Sequence, residues 1–567
     1  MNKLKNAPVG RRTWIRRAVT LAGVPAASAW LPAFPGDAAA APPPETPRPS
    51  GTTINTSDPK AIVDTTAGRV RGFVRNGIYS FKGIPFAASS EGRARFMPPV
   101  RPAAWAGIRT AMYYGPTCPQ VPRTGWTNDE NAFLFQWDDG QPGEDCSRVN
   151  VWTPGTGDGR KRPVMVWIHG GGFTAGSGQE QPAYHGENLS RRGDVVVVSL
   201  NHRLGVLGYL NLAAYGDQYA SSANVGMLDL VTALEWVRDN VAQFGGDPGN
   251  VLIFGQSGGG SKVSTLMAMP AAKGLFHKAA VQSGSALRMS TADDSARMAA
   301  EVLAQLGLGA SQVGQLHDLP AARLVSAMIA ASMKFPATPP GRGPMAGRPT
   351  WGPTVDGRIL PNHPFDPAAP AISAHIPMLI GTVLNESSPS QSDPLAELLT
   401  EDEMTRQVAQ TFGTRSETIL AAARKIYPKV RPVELLSLIA RPRTNAILQA
   451  ERKAAQGAAP AYLYLFAWKT PILDGRPRAF HCSEIPFVFD NTDVAAFATG
   501  GGPGPRALAA HVSDAWITFA RTGNPSHGGL PPWPAFSTDT GPVMVFDSAC
   551  AVEHDSDREL RRLVTQG

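Results

Sequence analysis

The chain has 567 residues, 43% hydrophobic and 17% charged, which is enough apolar side chain for a large core and excludes intrinsic disorder. Its 58 Gly and 51 Pro fall short of a low-complexity composition, and 4 Cys are too few for a disulfide scaffold. Most of the formal charge of +7 sits in the first 40 residues, where Lys3, Lys5, Arg11, Arg12, Arg16 and Arg17 face only Asp37; no later basic patch interleaves with aromatics, so nucleic acid is not an expected partner.

Residues 1–41 read as an export signal peptide. A basic segment runs through Arg17, an apolar stretch of 14 residues follows from Ala18 to Leu31, and the small residues Ala38 to Ala41 suit a signal peptidase. The segment Gly10-Arg11-Arg12-Thr13-Trp14-Ile15-Arg16 resembles the twin-arginine address of proteins exported already folded. The mature chain is therefore expected to be periplasmic or extracellular. It is also expected to make no membrane contact once the signal is removed, because no later segment reaches the ~18 apolar residues of a span. Residues 42–53, opening with three prolines, read as an extended tether. From residue 54 to 567 no second linker is found; Pro336 to Pro353 and Gly500 to Pro505 are expected to be surface loops.

Within that segment, buried strands alternate with amphipathic helices. Val164 to Ile168 and Val195 to Leu200 are continuous apolar runs, as expected of strands covered on both faces. Leu230, Leu234, Val237, Val241 and Phe244 recur at helical spacing, and Gly245-Gly246 stops the run. Val251 to Phe254 then forms a third strand. Strand, helix, strand in this order predicts a large, mostly parallel sheet with helices on both faces, and chemistry beyond the carboxyl ends of its strands.

Directly after the third strand stands Gly255-Gln256-Ser257-Gly258-Gly259, a G-x-S-x-G sequence, with a helix predicted over Ser261 to Met269. A serine on a tight strand-to-helix turn leaves no room for side chains two residues to either side. Its hydroxyl is then lifted clear of the sheet, beside the unpaired N–H groups of the helix start. The first strand ends in His169-Gly170-Gly171-Gly172-Phe173, whose glycines let backbone N–H donors approach a developing oxyanion. A phosphate cradle and a tight turn only are the other readings of such a loop; the chain has no Gly-Lys dipeptide and hence no Walker A sequence, and the combination with Ser257 decides against both.

Together with further segments, these residues resemble the type-B carboxylesterases, the cholinesterase-like branch of the α/β-hydrolase fold, from about Val63 to Phe546. The segments are Phe81-Lys82-Gly83-Ile84-Pro85-Phe86, Glu144-Asp145-Cys146 leading to Asn150-Val151-Trp152-Thr153-Pro154, Asn201-His202-Arg203-Leu204-Gly205, Phe244-Gly245-Gly246-Asp247-Pro248 and Phe519-Ala520-Arg521-Thr522-Gly523-Asn524-Pro525. The resemblance implies an α/β-hydrolase catalytic domain over 54–567. It also implies a serine hydrolase that cleaves small-molecule carboxylic esters, aryl or alkyl, through an acyl-enzyme without any cofactor.

Residue by residue, the resemblance makes Ser257 the nucleophile. It makes Glu386 the acid, in Gly381-Thr382-Val383-Leu384-Asn385-Glu386, where the family usually reads G-x-x-x-D-E-G and this chain departs at Asn385 and Ser387. It makes His481 the base, in His481-Cys482-Ser483-Glu484-Ile485-Pro486-Phe487-Val488-Phe489. Glu401, Asp402 and Glu403 are fallback acids that read as a solvated helix start, and His169 is the rival histidine. Gly171, Gly172 and Gly258 become the oxyanion hole. Alanine is commoner at the position of Gly258, so glycine is expected to loosen that turn while supplying the same N–H. Gln256 stands where the family usually has glutamate, which removes one attraction for cations and predicts that uncharged esters are favoured over choline esters. Cys118 and Cys146 resemble the family's first disulfide, worth roughly 3–4 kcal/mol if unstrained; Cys482 and Cys550 either pair or stay free. With no His-Glu dipeptide and no closely spaced cysteine pair, no metal is expected.

Overall fold

Eight strands form the centre of the molecule: β1 (Arg148–Thr153), β2 (Arg162–Ile168), β3 (Val196–Leu200), β4 (Gly246–Gln256), β5 (Lys278–Gln282), β6 (Met378–Val383), β7 (Ala461–Phe466) and β8 (Pro542–Phe546). The computed structural model describes residues 53–123, 129–335, 350–388, 390–440 and 443–565. The expected signal peptide (1–41), most of the tether (42–53) and the middle of the loop from Pro336 to Pro353 lie outside the described residues.

In space the strands follow the order β1-β3-β2-β4-β5-β6-β7-β8. All neighbours from β3 to β8 are parallel, and β1 runs antiparallel to β3. Antiparallel edge strands extend this to a 12-stranded sheet: Ile78–Pro85, Phe73–Arg75 and Ile54–Asn55 beyond β1, and Ala551–His554 beyond β8. A separate 3-stranded sheet holds Ile62–Thr65, Gly68–Arg71 and Ile108–Thr110.

The apolar runs read in the sequence are the central strands. Every residue of β2 and of β3 is buried. Strand alternation divides their side chains between two cores. Val164, Val166, Ile168, Val251 and Ile253 pack with Leu230, Leu234 and Val237 of α1 (Val225–Asn240). On the opposite face Met165, Trp167, Leu252 and Phe254 pack with Val512, Trp516 and Phe519 of the long helix Pro503–Thr522. At roughly 1.5–3 kcal/mol per fully buried apolar side chain, this two-sided burial drives the sheet together.

Three local readings are corrected. The helix through Leu230 begins earlier, at Val225, and its last expected residues form a 3-10 turn, Val241–Phe244, before Gly245 closes it at φ 74°. Gly500–Pro505 is not all loop, because Pro503 opens the helix to Thr522, a position where proline's missing N–H costs nothing. The helix after Ser257, α2 (Gly258–Leu266), starts three residues before Ser261. Three glycines are poor helix formers, but here packing overrides propensity.

Candidate active site

β4 ends at Gln256 and α2 begins at Gly258, so one residue, Ser257, turns the chain; its φ of 57° and ψ of −122° are strained for a residue with a side chain. The flanking glycines are required by contact. A Cβ on Gly255 would come within 2.6 Å of the Ile168 oxygen, and one on Gly259 would overlap that same oxygen. The turn is fastened by the Ser257 N–H, which donates to the Gln282 carbonyl at 2.8 Å, and Ser257 itself is only half-buried.

The glycine loop from β2 lies against this turn. Gly171 and Gly172 have φ of 78° and 61°. The Gly171 carbonyl accepts from Ala175, while the N–H groups of Gly171 and Gly172 have no hydrogen-bond partner among the described residues. Gly258, first in its helix, adds one of the orphan donors of a helix start. The looser turn expected at Gly258 is not found: a Cβ there would overlap the Gly172 carbonyl oxygen and amide nitrogen. Glycine brings loop and turn closer together than alanine would allow.

On the other side, Glu386 follows β6 and His481 follows β7. Their loops are joined by the neighbour of each: the Asn385 N–H donates to the Ala479 carbonyl at 3.0 Å, and the Ala479 N–H donates to Asn385 Oδ1 at 3.3 Å. Asparagine at 385, a departure from the family sequence, is thus a clasp between the loops that carry Glu386 and His481. Glu386 Oε2 accepts from His481 Nδ1 at 2.5 Å, and Glu386 Oε1 accepts from the Val383 N–H at 3.1 Å. Burial opposes a charged imidazole, but Cys482 and Glu386 outweigh it and hold the His481 pKa well above its ordinary value. No hydrogen bond links the Ser257 hydroxyl to the imidazole among the described residues. The ring is nonetheless beside the turn: Gln256 Nε2 lies 3.4 and 3.5 Å from its two nitrogens, near-equal distances that set the amide against the ring face.

Three further contributors surround the turn; Glu484 and Lys262 were not anticipated, and Cys482 takes the free-thiol reading beside His481. Cys482, at φ 80°, donates its thiol to Gln256 Oε1 at 3.0 Å. Glu484 is wholly buried, contacts Gln282 Nε2 at 3.4 Å, and is pushed up to about 7 by burial and by Glu386. Lys262, four residues beyond Gly258 and so on the same face of α2, is wholly buried and donates to the His169 carbonyl at 3.0 Å. A lysine within a stretch of small and apolar residues was the available signal for it.

The alternative residues stand apart. His169 is fully buried, stacks on His202 and has its Nδ1 3.0 Å from its neighbour's carbonyl, Gly170 O; burial and Lys262 hold its pKa well below the ordinary value. Glu401, Asp402 and Glu403 open the helix Glu401–Phe412, where Glu403 closes a capping box with Thr400. The implied disulfide is not formed: all four cysteines are free thiols. Cys118 and Cys146 are buried in one apolar cluster, the Cys118 sulfur accepts the Leu204 N–H at 3.2 Å, and its hydrogen bond to Cys146, with burial, raises the Cys146 pKa well above the usual thiol value. Among the described residues no cluster of three or more His, Cys, Asp or Glu could hold a metal, and no helix is long and apolar enough to cross a membrane.

Known proteins resemble the chain over most of its length. The model of the carboxylesterase family matches residues 59–561. The para-nitrobenzyl esterase of Bacillus subtilis (strain 168) is 35% identical over 517 residues, spanning 88% of this chain and 98% of that protein. The phenmedipham hydrolase of Pseudarthrobacter oxydans is 34% identical, with the same coverage of 88% and 98%. Among solved structures, an esterase from anaerobic Clostridium hathewayi, described as able to hydrolyze aliphatic aromatic polyesters, superposes with a TM-score of 0.78 at 36% identity, covering 91% of this chain and 100% of its own. Similarity of this extent, in sequence and in fold, shows that the chain belongs to the carboxylesterase family of α/β-hydrolases, enzymes that hydrolyse carboxylic esters.

Proposed function

We propose that Ser257, His481 and Glu386 carry out ester hydrolysis here as a two-step acyl transfer. His481 takes the Ser257 proton as the hydroxyl oxygen attacks the ester carbonyl, and Glu386 holds the imidazole oriented. The N–H groups of Gly171, Gly172 and Gly258 receive the tetrahedral oxyanion, and each such donor is typically worth roughly 3–4 kcal/mol of barrier. His481 then protonates the departing alcohol. Water repeats the sequence on the acyl-enzyme and releases the carboxylic acid. The observation that carries this reading is the 2.5 Å bond from His481 Nδ1 to Glu386, made by a ring that also packs on the residue preceding Ser257.

The hydroxyl and imidazole are not hydrogen-bonded in the structure; in this chemistry the contact tightens on substrate binding. The preferred substrates are uncharged aryl and alkyl esters. Two features support this: the relatives named for para-nitrobenzyl esters and for aliphatic aromatic polyesters, and the neutral Gln256 amide beside the ring. The test is a panel of p-nitrophenyl, benzyl, phthalate and choline esters with the native enzyme and Ser257→Ala. The variant should lose about 10⁶-fold in kcat, and p-nitrophenyl butyrate should exceed butyrylcholine in kcat/KM. A loss of only a few-fold, or the reverse preference, overturns the corresponding part. The leader supports export as a folded enzyme; cell fractionation that finds the mature chain in the cytoplasm refutes it.

A further inference from the structure

Lys262 is an unusual residue to find under a serine turn. Its side chain is wholly buried, and no carboxylate lies within ion-pairing distance of it among the described residues. Instead Nζ donates to the His169 carbonyl at 3.0 Å and approaches the Gly170 carbonyl at 3.5 Å, an oxygen also 3.0 Å from His169 Nδ1. The Phe173 ring lies 5.8 Å away. These two carbonyls belong to the peptide units that lead into Gly171. In a trans peptide the C=O and the following N–H point in opposite directions. A cation that holds the Gly170 oxygen on the α2 side therefore turns the Gly171 N–H away from α2, and its charge polarises that N–H into a stronger donor.

We infer that Lys262 is a positioning residue for the oxyanion hole: it anchors the backs of the His169 and Gly170 peptide units so that the free Gly171 N–H is held in place and polarised for the reacting carbonyl. This rests on the assignment of Ser257, Gly171 and Gly172 given above. The other charged or titratable groups facing Lys262 are few. His169 and His202 are both kept neutral, chiefly by burial and next by the ammonium itself or its surroundings. Glu180 lies farther off and is engaged by Arg123 Nη1 at 2.8 Å and by the Tyr184 hydroxyl at 3.1 Å. Burial draws Lys262 down to about 7, with Glu180 pulling the other way. A lysine placed so unfavourably for stability is what a functional demand produces.

The test compares Lys262→Met and Lys262→Gln with the native enzyme and Ser257→Ala, using p-nitrophenyl butyrate and an aliphatic trifluoromethyl ketone, whose serine adduct carries the tetrahedral oxyanion. Lys262→Met should melt no lower than the native enzyme, keep KM within about two-fold and lose about 10- to 100-fold in kcat, less than deletion of a donor itself. Its affinity for the ketone should fall by the same factor as kcat/KM, and Lys262→Gln, which retains a donor, should recover part of both. Native kcat in both variants, or a change confined to KM with ketone affinity intact, overturns the inference. If Ser257→Ala is inactive, that outcome leaves the assignment of the nucleophile standing; an active Ser257→Ala instead removes the foundation of both.

Discussion

The two sides of the serine turn differ in charge. On the β2 side the glycine loop offers free N–H groups and is backed by the Lys262 ammonium. On the side of β6 and β7 stand Glu386, bonded to His481, and the buried Glu484 behind them. Sheet order alone creates this division, because β2 and β6 lie on opposite sides of β4. In the proposed mechanism acylation moves charge along the same line: the serine proton would pass to the imidazole, which becomes positive, while the substrate oxygen becomes negative over the glycine loop. A cation beneath the glycine loop and the Glu386 carboxylate bonded to the imidazole would both favour that separation without having to reorganise during the reaction. The comparison teaches that the site is a preset dipole as well as a set of contacts. Each side also holds one buried ionisable group driven toward neutrality, Lys262 to about 7 from above and Glu484 to about 7 from below.

Breaking the negative side first should have the larger effect. Glu386→Gln keeps the shape but takes away the charge that orients and stabilises the imidazolium, and kcat should fall about 10⁴-fold, read with p-nitrophenyl butyrate. A loss under ten-fold would move the role of acid to another residue. On the opposite side, Gly258→Ala introduces a Cβ where the Gly172 backbone lies. The loop must retreat, and kcat should drop about 10²-fold with little change in KM, the size expected when a donor is misplaced. If alanine is accepted without loss, the close approach of loop and turn has no bearing on catalysis.

The smallest effect concerns stability. The folded-state pKa of Glu484, about 7, lies above the ordinary glutamate value, so the folded protein prefers the protonated form. The stability this gives is complete below about pH 4.5 and is lost as pH rises through about 7. Glu484→Gln removes the titration. Measured by thermal or denaturant unfolding, its stability relative to the native enzyme should climb across that interval by about 3 kcal/mol and then level off. A constant difference from pH 4.5 to pH 7.5 would show that Glu484 does not titrate there.

Much of this was legible along the chain because it is local. The continuous apolar runs at 164–168 and 195–200 became fully buried strands, since an extended segment without a polar face is stable only between two layers. The glycines around Ser257 could be explained before any coordinates, because a one-residue turn admits no neighbouring side chains. Less local features were misjudged or missed. The helix read over Ser261 to Met269 already begins at Gly258, within the run of three glycines. Gly258 was expected to loosen a turn that it tightens, and the thiols of Cys118 and Cys146 are not joined.

What the sequence determined, then, is the class of sheet, the serine turn and the order of the chemical groups along the chain, all governed by backbone geometry and hydrophobic periodicity within a few residues. What only the tertiary structure decided is which distant groups face one another. The Asn385–Ala479 clasp that brings Glu386 to His481, the thiol of Cys482 on Gln256, and Lys262 beneath the glycine loop all join residues from different strands and helices. Such contacts leave no periodic trace, because they depend on the order in which strands pack side by side, and that order is set by burial across the whole sheet.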